Sequence, residues 1–280
     1  MNSSRAVVVG VDDKQPHAVK FALEEATRTG SELIVVHSAG LPGQTYETYS
    51  AATLFASLRD AGQAILDLTR EMIDSIEHDV PVRYVLSPRA PAGALEQEAR
   101  DARLLVIGTE KASWFERLLG GAIAEHLVRH AAVPVVVVPE RDHHREKADV
   151  VVMIDGNSAA RGPLRFAFDA ATARNGVLHV LHATPPGTAP EDALAAQAAV
   201  SEVLAGWRAE FPDVQVRTEF VTAHPPEACL EATASAGLVV LGRPSGRPVP
   251  LALARPVAAQ VVRRAKCPVV IIPLSFRSAA

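Results

Sequence analysis

Two short stretches carry the residue types that could do chemistry. Asp12-Asp13-Lys14 follows the apolar run Val7-Val8-Val9-Gly10-Val11, and the segment from Gly108 to Ala122 mixes glycines with Lys111 and Arg117 before a helical pattern continues through Ile123. Glycines ahead of a helix let backbone N–H groups converge, and the helix dipole adds partial positive charge, so this loop suits an anionic phosphate. Lys111 can meet the same anion as a point charge. Asp12 suits either a ligand contact or the cap of the following helix. An Asp12-Asp13 pair also fits the acidic pocket of a phospho-receiver domain, but that chemistry needs an acceptor Asp at the end of the third strand, where Leu86-Ser87-Pro88 stands. No GxSxG elbow, HExxH helix, P-loop Gly-Lys-Ser/Thr or convergent carboxylate pair is present, so no catalytic residue is assigned. Cys229 and Cys267 lack CxxC spacing, and His143-His144 lies in a charged stretch, which reads as a solvated hinge; no metal ligand is assigned.

These stretches are held by elements that occur twice. Val150-Val151-Val152-Met153-Ile154-Asp155-Gly156 repeats the strand and acidic turn of the first half, and Ala132-Val133-Pro134-Val135 returns as Lys266-Cys267-Pro268-Val269. The second copy is the shorter one, and its missing residues fall where the first carries Thr45-Tyr46-Glu47-Thr48-Tyr49. Short β-branched runs alternate with helical patterns, which predicts parallel strands joined by crossover helices. In the first copy strands are expected at 6–11, 32–37, 82–86, 104–107 and 135–138; in the second, at 150–154, 177–182, 214–221, 238–241 and 269–272. Helices are expected from Pro16 to the stop at Gly30, with Ala18, Ala22 and Ala26 on one face, and over 54–77, with Leu54, Leu58, Ile65, Leu68 and Met72 as the apolar stripe. Two more are expected over 92–102 and 121–129. The domains are accordingly 1–140 and 148–280, joined by a charged linker at 141–147. Right-handed crossovers restrict such a repeat to a few strand orders, of which 3-2-1-4-5 is a common one, and in it the chain reverses winding between strands 1 and 4. A crevice then opens at the carboxyl ends of those strands, after Val11 and Ile107.

With the Asp after strand 1 (Asp12, Asp155), the glycine loop after strand 4, Pro91-Ala92 at the third helix and the Val133-Pro134-Val135 and Cys267-Pro268-Val269 phrases, the chain resembles the universal stress protein family in a tandem two-domain form. That likeness implies two doubly wound five-stranded parallel α/β sheets, Rossmann-like and of the adenine-nucleotide α-hydrolase-like type, packed as an internal pseudo-dimer through strand 5. It implies ATP or a related adenine nucleotide as ligand, with Mg only alongside a bound nucleotide. The implied site comprises Val11, Asp12, His37, Gly108, Lys111, Gly121, Ala122 and Ile123, with Asp12 toward ribose or adenine.

ATP-binding relatives read Gly, two residues, Gly, nine residues, Gly, then Ser or Thr. Here Lys111 replaces the middle Gly and Ala122 the hydroxyl residue. If the middle position needs φ > 0, Lys costs roughly 1–2 kcal/mol there. The lost hydroxyl removes a hydrogen bond worth on the order of 1 kcal/mol, about fivefold in affinity. In the second copy only Gly242 remains, with Ser245, Arg255 and Pro256 at the other places, and Pro256 deletes an N–H from the nest. The first copy is thus expected to bind weakly and the second to be degenerate. His37 and His182, at equivalent strand-2 ends, take a packing or ligand-edge role common to both copies. Trp114 either shields the site or anchors the loop.

A net charge of −4 over 280 residues, with no basic excess, argues against a nucleic-acid partner. No run of about 18 apolar residues could span a bilayer, and the start of the chain enters a strand with no apolar leader. A cytoplasmic protein with reduced thiols is expected. Two further readings stay open: a nucleotide-free scaffold or adaptor acting on a protein partner, and a slow ATPase. A homodimer of whole chains is a further expectation.

Overall fold

The computed structural model describes residues 6–12, 15–40, 51–109, 122–139, 147–155, 161–243, 257–274 and 276. The chain divides into two compact units, 1–140 and 141–280. In the first the order is β1 (Val7–Gly10), α1 (Pro16–Thr29), β2 (Leu33–Ser38), α2 (Ala51–Asp74), β3 (Val82–Ser87), α3 (Pro91–Glu98), β4 (Leu104–Gly108), α4 (Ala122–His130) and β5 (Val135–Val138). The second runs β6 (Val150–Met153), α5 (Arg161–Arg174), β7 (Leu178–Thr184), α6 (Pro190–Glu210), β8 (Val216–Thr222), α7 (Pro225–Ala232), β9 (Leu238–Gly242), α8 (Val257–Val262) and β10 (Val269–Ile272).

Every described strand pairing within a unit is parallel. The orders are β3-β2-β1-β4-β5 and β8-β7-β6-β9-β10, the expected 3-2-1-4-5 in each unit. The β-branched runs of β1 and β5 are fully buried, as strands covered on both faces by helices must be. Residues 41–50 and 140–146, including His143-His144, lie outside the described residues.

Helix α1 starts on Pro16, whose missing N–H costs nothing in a first turn, and stops at Gly30 with φ 59°. Ser31 N–H reaches back to Ala26 O at 2.9 Å, closing a left-handed cap. Its counterpart α5 uses the same closure with a different residue: Asn175 takes φ 50°, and Gly176 N–H donates to Ala171 O at 3.0 Å. Ala18, Ala22 and Ala26 are all fully buried, as expected.

Helix α2 departs from expectation in the face it turns inward. Gly62, Leu66, Thr69 and Ile73 are buried, whereas Leu68, assigned above to the apolar stripe, is 63% exposed. The reason is local. A Cβ on Gly62 would lie 2.7 Å from His37 Cδ2 and 2.8 Å from Leu86 Cδ1, so the helix meets the strand-2 end at a point where only glycine fits. Close approach there sets the helix rotation, and Leu68 is left outside.

Candidate functional site

Parallel pairing of Val7–Val9 with Leu104–Val106 brings β1 and β4 side by side with their carboxyl ends on one rim. The chain leaves β1 through Val11 and Asp12, and β4 through Gly108 and Thr109. Val11 extends the β1–β2 ladder, its N–H donating to Val36 O at 2.9 Å. Its carbonyl accepts from His37 Nδ1 at 2.9 Å. Carbonyl oxygens only accept, so Nδ1 carries the proton, and Gly62 packs closely against the Cδ2–Nε2 side of the ring. His37 is buried, and the clamp holds the turn that presents Asp12, which is partly exposed.

At the end of β4 Thr109 N–H donates to Val138 O at 2.9 Å, continuing the β4–β5 ladder past Gly108. A Cβ on Gly108 would sit 3.3 Å from Ala18 Cβ and from Gln15 Cδ, so Gln15, at the cap position of α1, lies directly over this glycine. Helix α4 begins at Ala122, with Ile123 half-buried in its first turn. It is seated by the fully buried Leu127 and by His126 Nε2, 2.9 Å from Glu96 Oε1 of α3. Asp13, Lys14, Lys111, Trp114 and Gly121 lie outside the described residues, as does the side chain of Ala122. Of the eight candidates, Val11, Asp12, His37 and Ile123 are therefore placed with their side chains, and Gly108 with its backbone. Sequence reasoning missed Gly62 and Gln15. A glycine inside a long helix was the available clue for the first.

The second unit repeats the clamp. His182 Nδ1 donates to Ile154 O at 3.0 Å, and Ile154 N–H donates to Leu181 O at 3.1 Å. Above the clamp the copies differ. Asp155 is exposed, Phe220 stands edge-on to His182 with ring centroids 6.1 Å apart, and Arg243 replaces Thr109, with desolvation lowering its guanidinium pKa. Residues 244–256 of the second loop are not among those described. Among the described residues no group of three or more His, Cys, Asp or Glu could hold a metal ion, and no helix is long and apolar enough to cross a membrane.

The fold, with β1 and β4 paired where the winding reverses, defines a tandem doubly wound α/β protein with Rossmann-like sheets. A model of the Universal stress protein family matches residues 4–139 and again 148–273, and the chain belongs to that family. A universal stress protein of Mycobacterium tuberculosis (strain ATCC 25618 / H37Rv) is 30% identical over 259 residues, covering 86% of this chain and 87% of the relative. A universal stress protein from Archaeoglobus fulgidus DSM 4304 shares the fold at a TM-score of 0.74 and 18% identity, covering 97% of both chains. A universal stress protein solved in complex with cAMP is 26% identical, covers 49% of this chain and 98% of its own, and has a TM-score of 0.36.

Proposed function

We propose that the first unit is a stress-response nucleotide binder that holds ATP or a related adenine nucleotide weakly in the crevice above β1 and β4. The observation that carries this reading is the parallel β1–β4 pairing, which puts Asp12 and Gly108 on one rim where the winding reverses. In this reading Asp12 meets the ribose or adenine, His37 holds Val11 and so aims Asp12, and Gln15 lines the wall beside Gly108. Gly108, Lys111, Gly121, Ala122 and Ile123 form the phosphate end through backbone N–H groups and the Lys111 charge. Mg2+ enters only with the nucleotide.

Titration calorimetry of the whole chain with ATP, ADP and cAMP tests the reading. Binding is expected, with Asp12→Ala weakening it by about tenfold, the loss of a hydrogen bond to a charged group. Folded protein giving no heat at millimolar ligand rejects it. That result would favour the adaptor reading, which Lys111 and Ala122 support because both depart from the phosphate-loop pattern. Turnover is a lesser reading: phosphate release that disappears in Gly121→Asp supports it, and release that survives is contamination.

The apolar edges Val135–Val138 and Val269–Ile272 are proposed to satisfy each other within one chain, as an internal pseudo-dimer. Slow amide exchange in both strands of the intact protein tests this. Two buried cysteines, Cys229 and Cys267, are consistent with the cytoplasmic placement we favour.

A further inference from the structure

We infer that the outer edge of β8 is the contact through which this chain pairs with a second copy of itself, two β8 strands running antiparallel across a two-fold axis at Thr218. Among the described residues β8 pairs on one side only, with β7. Leu178 N–H donates to Gln215 O, and Ala223 N–H donates to Thr184 O. The odd-numbered residues of this stretch therefore turn their backbone groups toward β7. By alternation, Val216, Thr218, Phe220 and Thr222 turn theirs outward, where Phe220 and Thr222 are exposed.

The side chains decide the occupant. A two-fold axis at Thr218 pairs outward-facing Thr218 with its copy and Val216 with the partner's Phe220, satisfying the free N–H and C=O groups in reciprocal bonds. It also sets Arg217 opposite the partner's Glu219, twice, at non-hydrogen-bonded positions where opposed side chains approach most closely. Arg217 and Glu219 are both exposed. Glu219 keeps one neighbour of its own, His179 Nδ1 at 3.3 Å, which leaves carboxylate capacity for an arginine. Moving the axis to Glu219 would oppose two carboxylates and moving it to Arg217 two guanidinium groups, and the Thr218 axis alone sets Arg217 against Glu219.

The corresponding edge of the first unit lacks this pattern. Arg83 of β3 already faces Glu98 at 3.3 Å and Glu32 at 3.5 Å, and a two-fold axis at Tyr84 would set it opposite Val85. A single self-complementary edge per chain closes on itself, which yields a dimer and not a filament. Charged residues on an edge strand commonly serve to repel foreign strands. Here they do so while admitting their own copy.

Sedimentation velocity of the full chain from micromolar to submillimolar concentration provides the test. A dimer is expected. Arg217→Glu and Glu219→Arg should each weaken association by about tenfold or more, and the combined Arg217→Glu/Glu219→Arg chain should recover to within about threefold. Thr218→Pro removes an outward N–H without touching the β7 ladder, so it should give a folded monomer by circular dichroism. A wild-type monomer throughout the range overturns the inference. So does a dimer indifferent to the single reversals, or reversals that the double change fails to rescue.

Discussion

His37 shows how one buried side chain can fix the turn that presents Asp12. Its proton goes to Val11 O, and its ring occupies space that α2 concedes only by carrying Gly62. In an ordinary helix interior, Gly→Ala stabilises by about 0.5–1 kcal/mol. Gly62→Ala should do the reverse, lowering stability by about 1–3 kcal/mol as the new methyl group displaces the imidazole. Urea unfolding reads the sign, and faster exchange of the His37 Nδ1 proton than in the parent chain would report the broken clamp.

Cys229 offers a second residue-scale check. Burial pushes its thiol from 9.0 up to about 12. The folded state thus holds the proton more tightly than the unfolded chain. The resulting stability is complete below the unfolded pKa and is lost as pH rises from about 9 toward about 12. Cys229→Ala should flatten that part of the stability curve, by up to about 1.4 kcal/mol per pH unit. Native protein should resist thiol labelling that proceeds readily in urea.

At this scale the sequence was only partly legible. His37 and His182 stood out because they recur at matching strand ends. Gly62 carried a weaker clue, a glycine inside a long helix, because its contact with a neighbouring strand leaves no periodic trace.

Among the elements, the stop of α1 was legible because it depends on local backbone chemistry, whereas α2 and α3 end at Asp74 and Glu98, short of the expected 77 and 102. Gly30 ends α1 in the left-handed region, and a Cβ there would meet nothing within 4 Å. Gly30→Ala should therefore cost about 1 kcal/mol from backbone conformation alone. Asn175 does the same work at the end of α5 with φ 50°, and Asn175→Gly should raise the melting temperature slightly, by about 0.5 kcal/mol of relief. The α2 stripe misled for a physical reason. Apolar periodicity located the helix, but a small residue at the tightest contact determined its rotation, and Leu68 ended up in solvent.

For the whole molecule, duplication made the architecture readable: two copies of strand, acidic turn and Pro-Val closing phrase can only be two copies of one sheet. The candidate site was less readable, because whether a loop of this composition converges its N–H groups on an anion depends on backbone conformation, which residue types do not specify. One nucleotide per chain is the expected stoichiometry, and Asp155→Ala should leave the affinity unchanged where Asp12→Ala lowers it. Calorimetric stoichiometry near two, or equal sensitivity to both substitutions, would count against a degenerate second copy.

The histidine bond to the strand-1 carbonyl survives in both units, at 2.9 and 3.0 Å, beneath surroundings that have diverged. An attachment shared by a domain expected to be occupied and one expected to be empty is part of the scaffold's inheritance. Each molecule therefore carries its own internal control. Replacing His37 and replacing His182 should loosen their respective sheets alike, and any difference between the two in ligand affinity isolates what the crevice adds.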